Sequence, residues 1–157
     1  HCNQPVQHVA YLYNYAGQPW KTQYLVRFIM DSLYSALPDG FCGDEDNGQT
    51  SAWYVFSAMG FYPVTPGNPS YVIGSPLFNT ITLKLPGGKK FVIKAQNNAP
   101  GNHYIQQVKL NYKDWNKSWI PHDVFLKDGN LEFYMGNMPD KNWGSLPESV
   151  PYSLTTE

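Results

Sequence analysis

The chain has 157 residues, a formal net charge of -1 and only 15% charged side chains, so it carries no basic field of the kind that neutralises phosphates or holds a membrane surface. Nucleic acid and membrane partners are disfavoured, and no stretch approaches the roughly 18 to 20 uninterrupted apolar residues that a bilayer helix needs. The length fits one compact unit or two small ones.

Aromatic residues reach 16%, and 13 Gly and 13 Pro imply many turns. Aromatic faces suit the C–H faces of sugar rings, and they also fill β-rich cores. Two cysteines, Cys2 and Cys42, either pair in an oxidising compartment or stay free, since two do not make a disulfide framework. The chain opens on His1-Cys2-Asn3 without Met and reads as a piece of a longer one.

Residues 1 to 60 read as helical. Val6, Val9, Ala10 and Tyr13 recur at three- and four-residue spacing before Gly17, which predicts a first helix with those residues inward. Pro19 suits a first helical turn, and Trp20, Leu25, Phe28, Ile29 and Leu33 trace the apolar face of a second helix up to Pro38-Asp39-Gly40. Gln49 to Met59 predicts a third, stopped by Gly60 and apolar on nearly every side, which implies burial all round. Three such helices need further helices, absent from this chain, to close a core.

From Phe61 onward Pro63, Pro66 and Pro69 exclude a helix, and the pattern alternates with period two. Strands are expected at Tyr71 to Ile73, Thr80 to Leu85, Phe91 to Ala95, Tyr104 to Leu110 and Leu131 to Tyr134, with Pro86-Gly87-Gly88 as a tight turn. The fold class is therefore mixed α and β, with a helical region at residues 1–65 and a β-rich region at 66–157.

The densest chemistry is Gly43-Asp44-Glu45-Asp46-Asn47-Gly48, three consecutive carboxylates between glycines. Adjacent like charges repel. A hard cation such as calcium would neutralise them, a proton retained by one of them would do the same, and the plainer alternative is a solvated loop capping the third helix. An EF-hand fails, because its sixth position would be Gln49 and its twelfth Val55. His8, with Gln4 four residues before it and Asn14 six after, marks either a polar stripe facing a cleft or a hydrogen-bonded core histidine. His103 and His122 have no second ligand at metal spacing and read as structural. Nucleophile-elbow, phosphate-loop and zinc signatures are absent from the sequence.

Asn3-Gln4-Pro5, the run Tyr11 to Gln23, Gly43 to Gln49, Ser51 to Pro63, Gly74-Ser75-Pro76-Leu77-Phe78 and Asn137-Met138-Pro139 together resemble the C-terminal part of glycoside hydrolase family 92. The resemblance implies a secreted, calcium-dependent, inverting exo-α-mannosidase of bacterial origin, periplasmic or at the cell surface, acting on mannose-containing glycans and in particular on α-1,2 linkages. It implies that residues 1–65 complete an (α/α)6 barrel begun upstream in the same polypeptide. It makes Asp44 and Asp46 the candidates for the general base and puts Asn3 and Gln4 at the calcium site. Asn3, Gln4, His8 and Asn14 are the substrate-binding candidates. The general acid is expected upstream, so the isolated chain is expected to be inactive, and poorly folded once Trp20, Phe28, Trp53 and Phe56 lose upstream partners. The family motif reads Asn-Glu-Pro where this chain has Asn3-Gln4-Pro5. Gln4 keeps an oxygen ligand and removes a charge, which bears on calcium affinity, linkage preference and activity. The competing readings are a stand-alone carbohydrate-binding or adhesion module and a structural interaction domain.

Overall fold

The computed structural model describes residues 1–154. In place of one continuous first helix, 3-10 turns at Gln4–Val6 and Val9–Tyr11 lead into a short α1 (Leu12–Tyr15). Its inward side is Gln7, Ala10, Tyr11 and Asn14, while Val6 and Val9 are 43% and 48% exposed. Hydrogen bonds decide which side faces in. Gln7 Nε2 donates to Thr50 Oγ1 at 2.9 Å, and the Tyr11 hydroxyl meets Ser57 Oγ at 2.8 Å. A polar side chain that finds such partners is buried at little net cost.

The second and third helices, α2 (Pro19–Leu33) and α3 (Gln49–Met59), fall where expected, and Gly60 ends α3 in the left-handed region with its N–H on the Phe56 and Ser57 carbonyls. Their faces differ from expectation. Helix α2 buries Thr22, Gln23, Val26, Arg27 and Met30, and Phe28 points outward at 51% exposure. Thr22 donates to the Ala10 carbonyl at 2.9 Å, Gln23 Oε1 accepts from the Ile105 N–H at 3.0 Å, and Arg27 Nη1 donates to the Pro76 carbonyl at 2.7 Å. Helix α3 is open on one side, with Val55 at 55% exposure.

Eight strands follow: β1 (Phe61–Tyr62), β2 (Ser70–Ile73), β3 (Thr80–Lys84), β4 (Lys90–Gln96), β5 (Tyr104–Leu110), β6 (Lys113–Asp114), β7 (Trp119–Pro121) and β8 (Gly129–Gly136). All five expected strands are present, and β1, β6 and β7 are additional. They form a three-stranded sheet in the order β1-β2-β7 and a five-stranded sheet in the order β3-β4-β8-β5-β6. The β4–β8 pair is parallel, with Phe91 opposite Gly129, and the neighbouring pairs are antiparallel. Alternation along β4, β5 and β8 sends Phe91, Ile93, Ile105, Val108, Leu131 and Phe133 into one core cluster.

A second cluster joins Ala10, Tyr11, Val26, Ile29, Met30, Trp53 and Ala58 to Val72 of β2. The helices thus find core partners within this chain, while Tyr24, Phe28 and Val55 stay outward. Trp53 is fully buried and Phe56 packs on the β-rich cluster.

Asn14 links the two regions, its Nδ2 donating to the Ile73 carbonyl at 2.9 Å and to the Ser118 carbonyl at 3.0 Å. Asn14→Ala in the full-length protein is expected to lower the stability of this unit by about 1 to 3 kcal/mol, because two buried acceptors lose their donor. A shift of the urea midpoint measures it. An unchanged midpoint would show that the link is dispensable.

Candidate active site

The acidic loop is a tightly turned piece of backbone. An isolated bridge pairs Tyr34 with Phe41, and Ser35 N–H donates to the Gly40 carbonyl at 3.0 Å. Asn47 and Gly48 both adopt left-handed angles, φ 55° and 77°, and the Gln49 N–H returns to the Asp46 carbonyl at 3.0 Å. At Gly43 an added Cβ would lie 2.0 Å from the Cys2 carbonyl oxygen, so only glycine lets the loop lie against the N-terminal segment.

That contact brings together residues about forty positions apart. Gln4 Nε2 donates to the Asp44 carbonyl at 2.8 Å, and Thr50 Oγ1 donates to the same oxygen at 3.2 Å. Gln49 Nε2 reaches the Gln4 carbonyl at 3.5 Å. The backbone of Asp44 is held while its carboxylate is exposed, and neither the Asp44 nor the Asp46 side chain has a hydrogen bond or ion pair among the described residues. Glu45 behaves differently: its Oε2 accepts from the Ser51 N–H at 2.7 Å and from Ser51 Oγ at 2.6 Å. One carboxylate of the three therefore caps α3 at its positive end, and two are left over.

Gln4 and His8 line a cleft of about 430 Å³ whose walls include Gln49, Tyr62, Pro63 and Pro66. Burial pushes the Tyr62 hydroxyl above the usual tyrosine range, partly offset by a hydrogen bond with Gln49. Asn3 is exposed one residue before Gln4. The candidates Asn3, Gln4, His8, Asp44 and Asp46 therefore share one neighbourhood. Asn14 does not join them. It is fully buried, with its amide on two backbone carbonyls, and its assignment to substrate is corrected on that ground. Sequence reasoning missed Gln49 and Thr50, which fix the loop to the N-terminal turn, and Tyr62, which walls the cleft from the β region. The polar side chains of Gln49 and Thr50 sit just behind the acidic run, the only local signal they give, whereas Tyr62 lies on β1, beyond the whole of α3.

Residues 1–137 match the profile of the glycosyl hydrolase family 92 catalytic domain. The chain belongs to glycoside hydrolase family 92. Among solved structures, it is similar to a family 92 inverting mannosidase from Bacteroides thetaiotaomicron, with 54% identity and a TM-score of 0.93, covering 99% of this chain and 21% of that one. It is also similar to a family 92 α-mannosidase from the same organism solved with mannoimidazole, with 41% identity, a TM-score of 0.94 and coverage of 98% and 20%. A protein of Arthroderma benhamiae described as an uncharacterized secreted glycosidase is 33% identical over 155 residues, which is 97% of this chain and 20% of that protein. The chain thus spans about a fifth of the length of these relatives.

The amide oxygens of Asn3 and Gln4 are hard donors of the kind calcium takes, and among the described residues no group of three or more His, Cys, Asp or Glu gathers around a metal position. Calcium takes roughly six to eight oxygens. The two amides supply part of such a set, and Gln4 Nε2, bonded to the Asp44 carbonyl, leaves the amide oxygen as the end able to ligate.

Proposed function

We propose that this chain is the C-terminal part of an inverting exo-α-mannosidase that removes terminal α-mannose, α-1,2-linked in particular, from glycans. The observation that carries the reading is the pair of unpartnered carboxylates, Asp44 and Asp46, on a loop whose backbone is fixed beside a cleft. Membership of a family whose solved relatives are mannosidases supplies the substrate class. The matched profile is that of a catalytic domain, which favours an enzyme over a stand-alone binding module.

Inversion needs a carboxylate on one face of the sugar to take a proton from water as that water attacks the anomeric carbon, and an acid on the opposite face for the departing oxygen. Asp44 or Asp46 serves as the base. The family resemblance puts the acid on residues preceding this chain, and on that reading the isolated chain is inactive. Asn3 and Gln4 would hold calcium, which when bound supplies a Lewis-acidic contact for sugar hydroxyls and favours the flattened ring of the transition state. Asn3, Gln4 and His8 would also touch substrate. The outward Tyr24, Phe28 and Val55 mark where preceding helices of an (α/α)6 barrel pack, with residues 66–157 as the appended β-rich part. A parent exported to the periplasm, cell surface or medium of a bacterium accords with the secreted description of the Arthroderma relative.

The test is hydrolysis of an α-1,2-mannobioside by the full-length protein, followed by proton NMR. The first mannose released is expected to be the β-anomer. Release of the α-anomer first, or no release from any α-mannoside, overturns the reading.

A further inference from the structure

Two thiols outside the proposed chemistry meet where the N-terminal segment crosses the acidic loop. Cys2 precedes Asn3, and Cys42 precedes Gly43. A Cβ built on Gly43 would lie 3.2 Å from the Cys2 Cβ, so the two backbones touch at this point. Tyr34 lies close by: its hydroxyl meets His1 Nε2 at 2.8 Å, and an isolated bridge pairs it with Phe41, next to Cys42. Both thiols are free, Cys2 exposed and Cys42 half-buried, so a small oxidant reaches them.

We propose that Cys2 and Cys42 are a disulfide-forming pair whose closure ties the Asn3-Gln4 turn covalently to the acidic loop. The oxidant is a low-molecular-weight disulfide such as glutathione disulfide. The Cys2 thiolate attacks one of its sulfurs and releases one glutathione thiol. Cys42 then loses its proton and attacks the Cys2 sulfur of the mixed disulfide, expelling the second glutathione. The net change oxidises two protein thiols to one disulfide and reduces one small disulfide to two thiols. The Cys42 thiol is half-buried and within hydrogen-bonding reach of the Cys2 thiol. Cys2, the more exposed thiol, attacks first, and the half-buried Cys42 closes the bond.

In the reduced protein the contact depends on hydrogen bonds, from Gln4 to the Asp44 carbonyl at 2.8 Å, from Gln49 to the Gln4 carbonyl and through Thr50, and on the packing around Gly43. In the oxidised protein the two segments cannot separate. Any consequence for turnover rests on the reading of Asp44 and Asp46 above, whereas the bond itself does not.

The test oxidises the full-length protein with glutathione disulfide at mildly alkaline pH and maps the peptides without reduction. A peptide linking Cys2 to Cys42 is expected, lost on reduction, and Cys42→Ser should leave glutathione on Cys2 instead. Amide exchange over residues 43–48 should slow in the oxidised form. Glutathione on both cysteines without a linked peptide, linkage of either one to a different cysteine, or unchanged exchange in the linked form overturns the proposal. The wild-type map alone decides if Cys42→Ser fails to fold. Linkage with slowed exchange but an unmoved hydrolytic rate supports the pair and counts instead against a rate-determining role for the acidic loop.

Discussion

Replacing Asp44 or Asp46 by alanine in the full-length enzyme is expected to lower the hydrolytic rate by about 10²- to 10⁴-fold, the contribution of a general base, with the thermal midpoint almost unchanged. Neither carboxylate has a partner that its loss would orphan, and both are exposed among like charges, where removing one charge relieves repulsion. Glu45 supplies the contrast. Its carboxylate holds the Ser51 N–H and hydroxyl at the start of α3, so Glu45→Ala should cost about 0.5 to 2 kcal/mol of stability and spare turnover. Initial rates and melting temperatures of the three single variants separate the roles. Full activity in both Asp variants would end the assignment of the base, and a destabilised Asp44 or Asp46 variant with normal turnover would make the whole loop a helix cap.

The strands were legible because alternation needs only a few residues to declare itself: Lys90–Gln96 and Tyr104–Leu110 each carry three or more alternations. The two- and three-residue pieces Phe61–Tyr62, Lys113–Asp114 and Trp119–Pro121 are too short to show a period. Helix ends were legible through Pro19 and Gly60. Helix faces were not. An apolar stripe says which side avoids water, whereas α2 buries Thr22, Gln23 and Arg27 because acceptors and donors at Ala10, Ile105 and Pro76 await them. Those partners lie up to 82 residues away, beyond any local pattern. The site divides in the same way. The acidic run was conspicuous on its own, but only the family resemblance put Gln4 beside it, and spacing offered no sign that Asn14 would be taken by Ile73 and Ser118.

Trp53 packs wholly within this chain, and Trp53→Ala is expected to lower the stability of this unit by about 3 to 5 kcal/mol. Its ring is fully buried. It stacks with Tyr34 at 5.8 Å and 10° between planes, and lies edge-on to Tyr11 at 6.5 Å. Its Nε1 donates to the Gln7 carbonyl at 3.0 Å. Alanine leaves both a cavity and an orphaned carbonyl, and Trp53→Phe should recover most of the packing and lose only the hydrogen bond, about 1 kcal/mol. The effect should reach the site as well. Trp53 and Thr50 lie on one face of α3, three residues apart, and Thr50 steadies both the Gln7 amide and the Asp44 carbonyl. Loosening this corner should therefore lower the hydrolytic rate of the full-length enzyme even at temperatures where Trp53→Ala remains folded, and Trp53→Phe should restore it. Urea midpoints and rates for the two variants decide the matter. A loss below about 1 kcal/mol in Trp53→Ala would show that the surrounding rings close over the cavity and that this packing is dispensable.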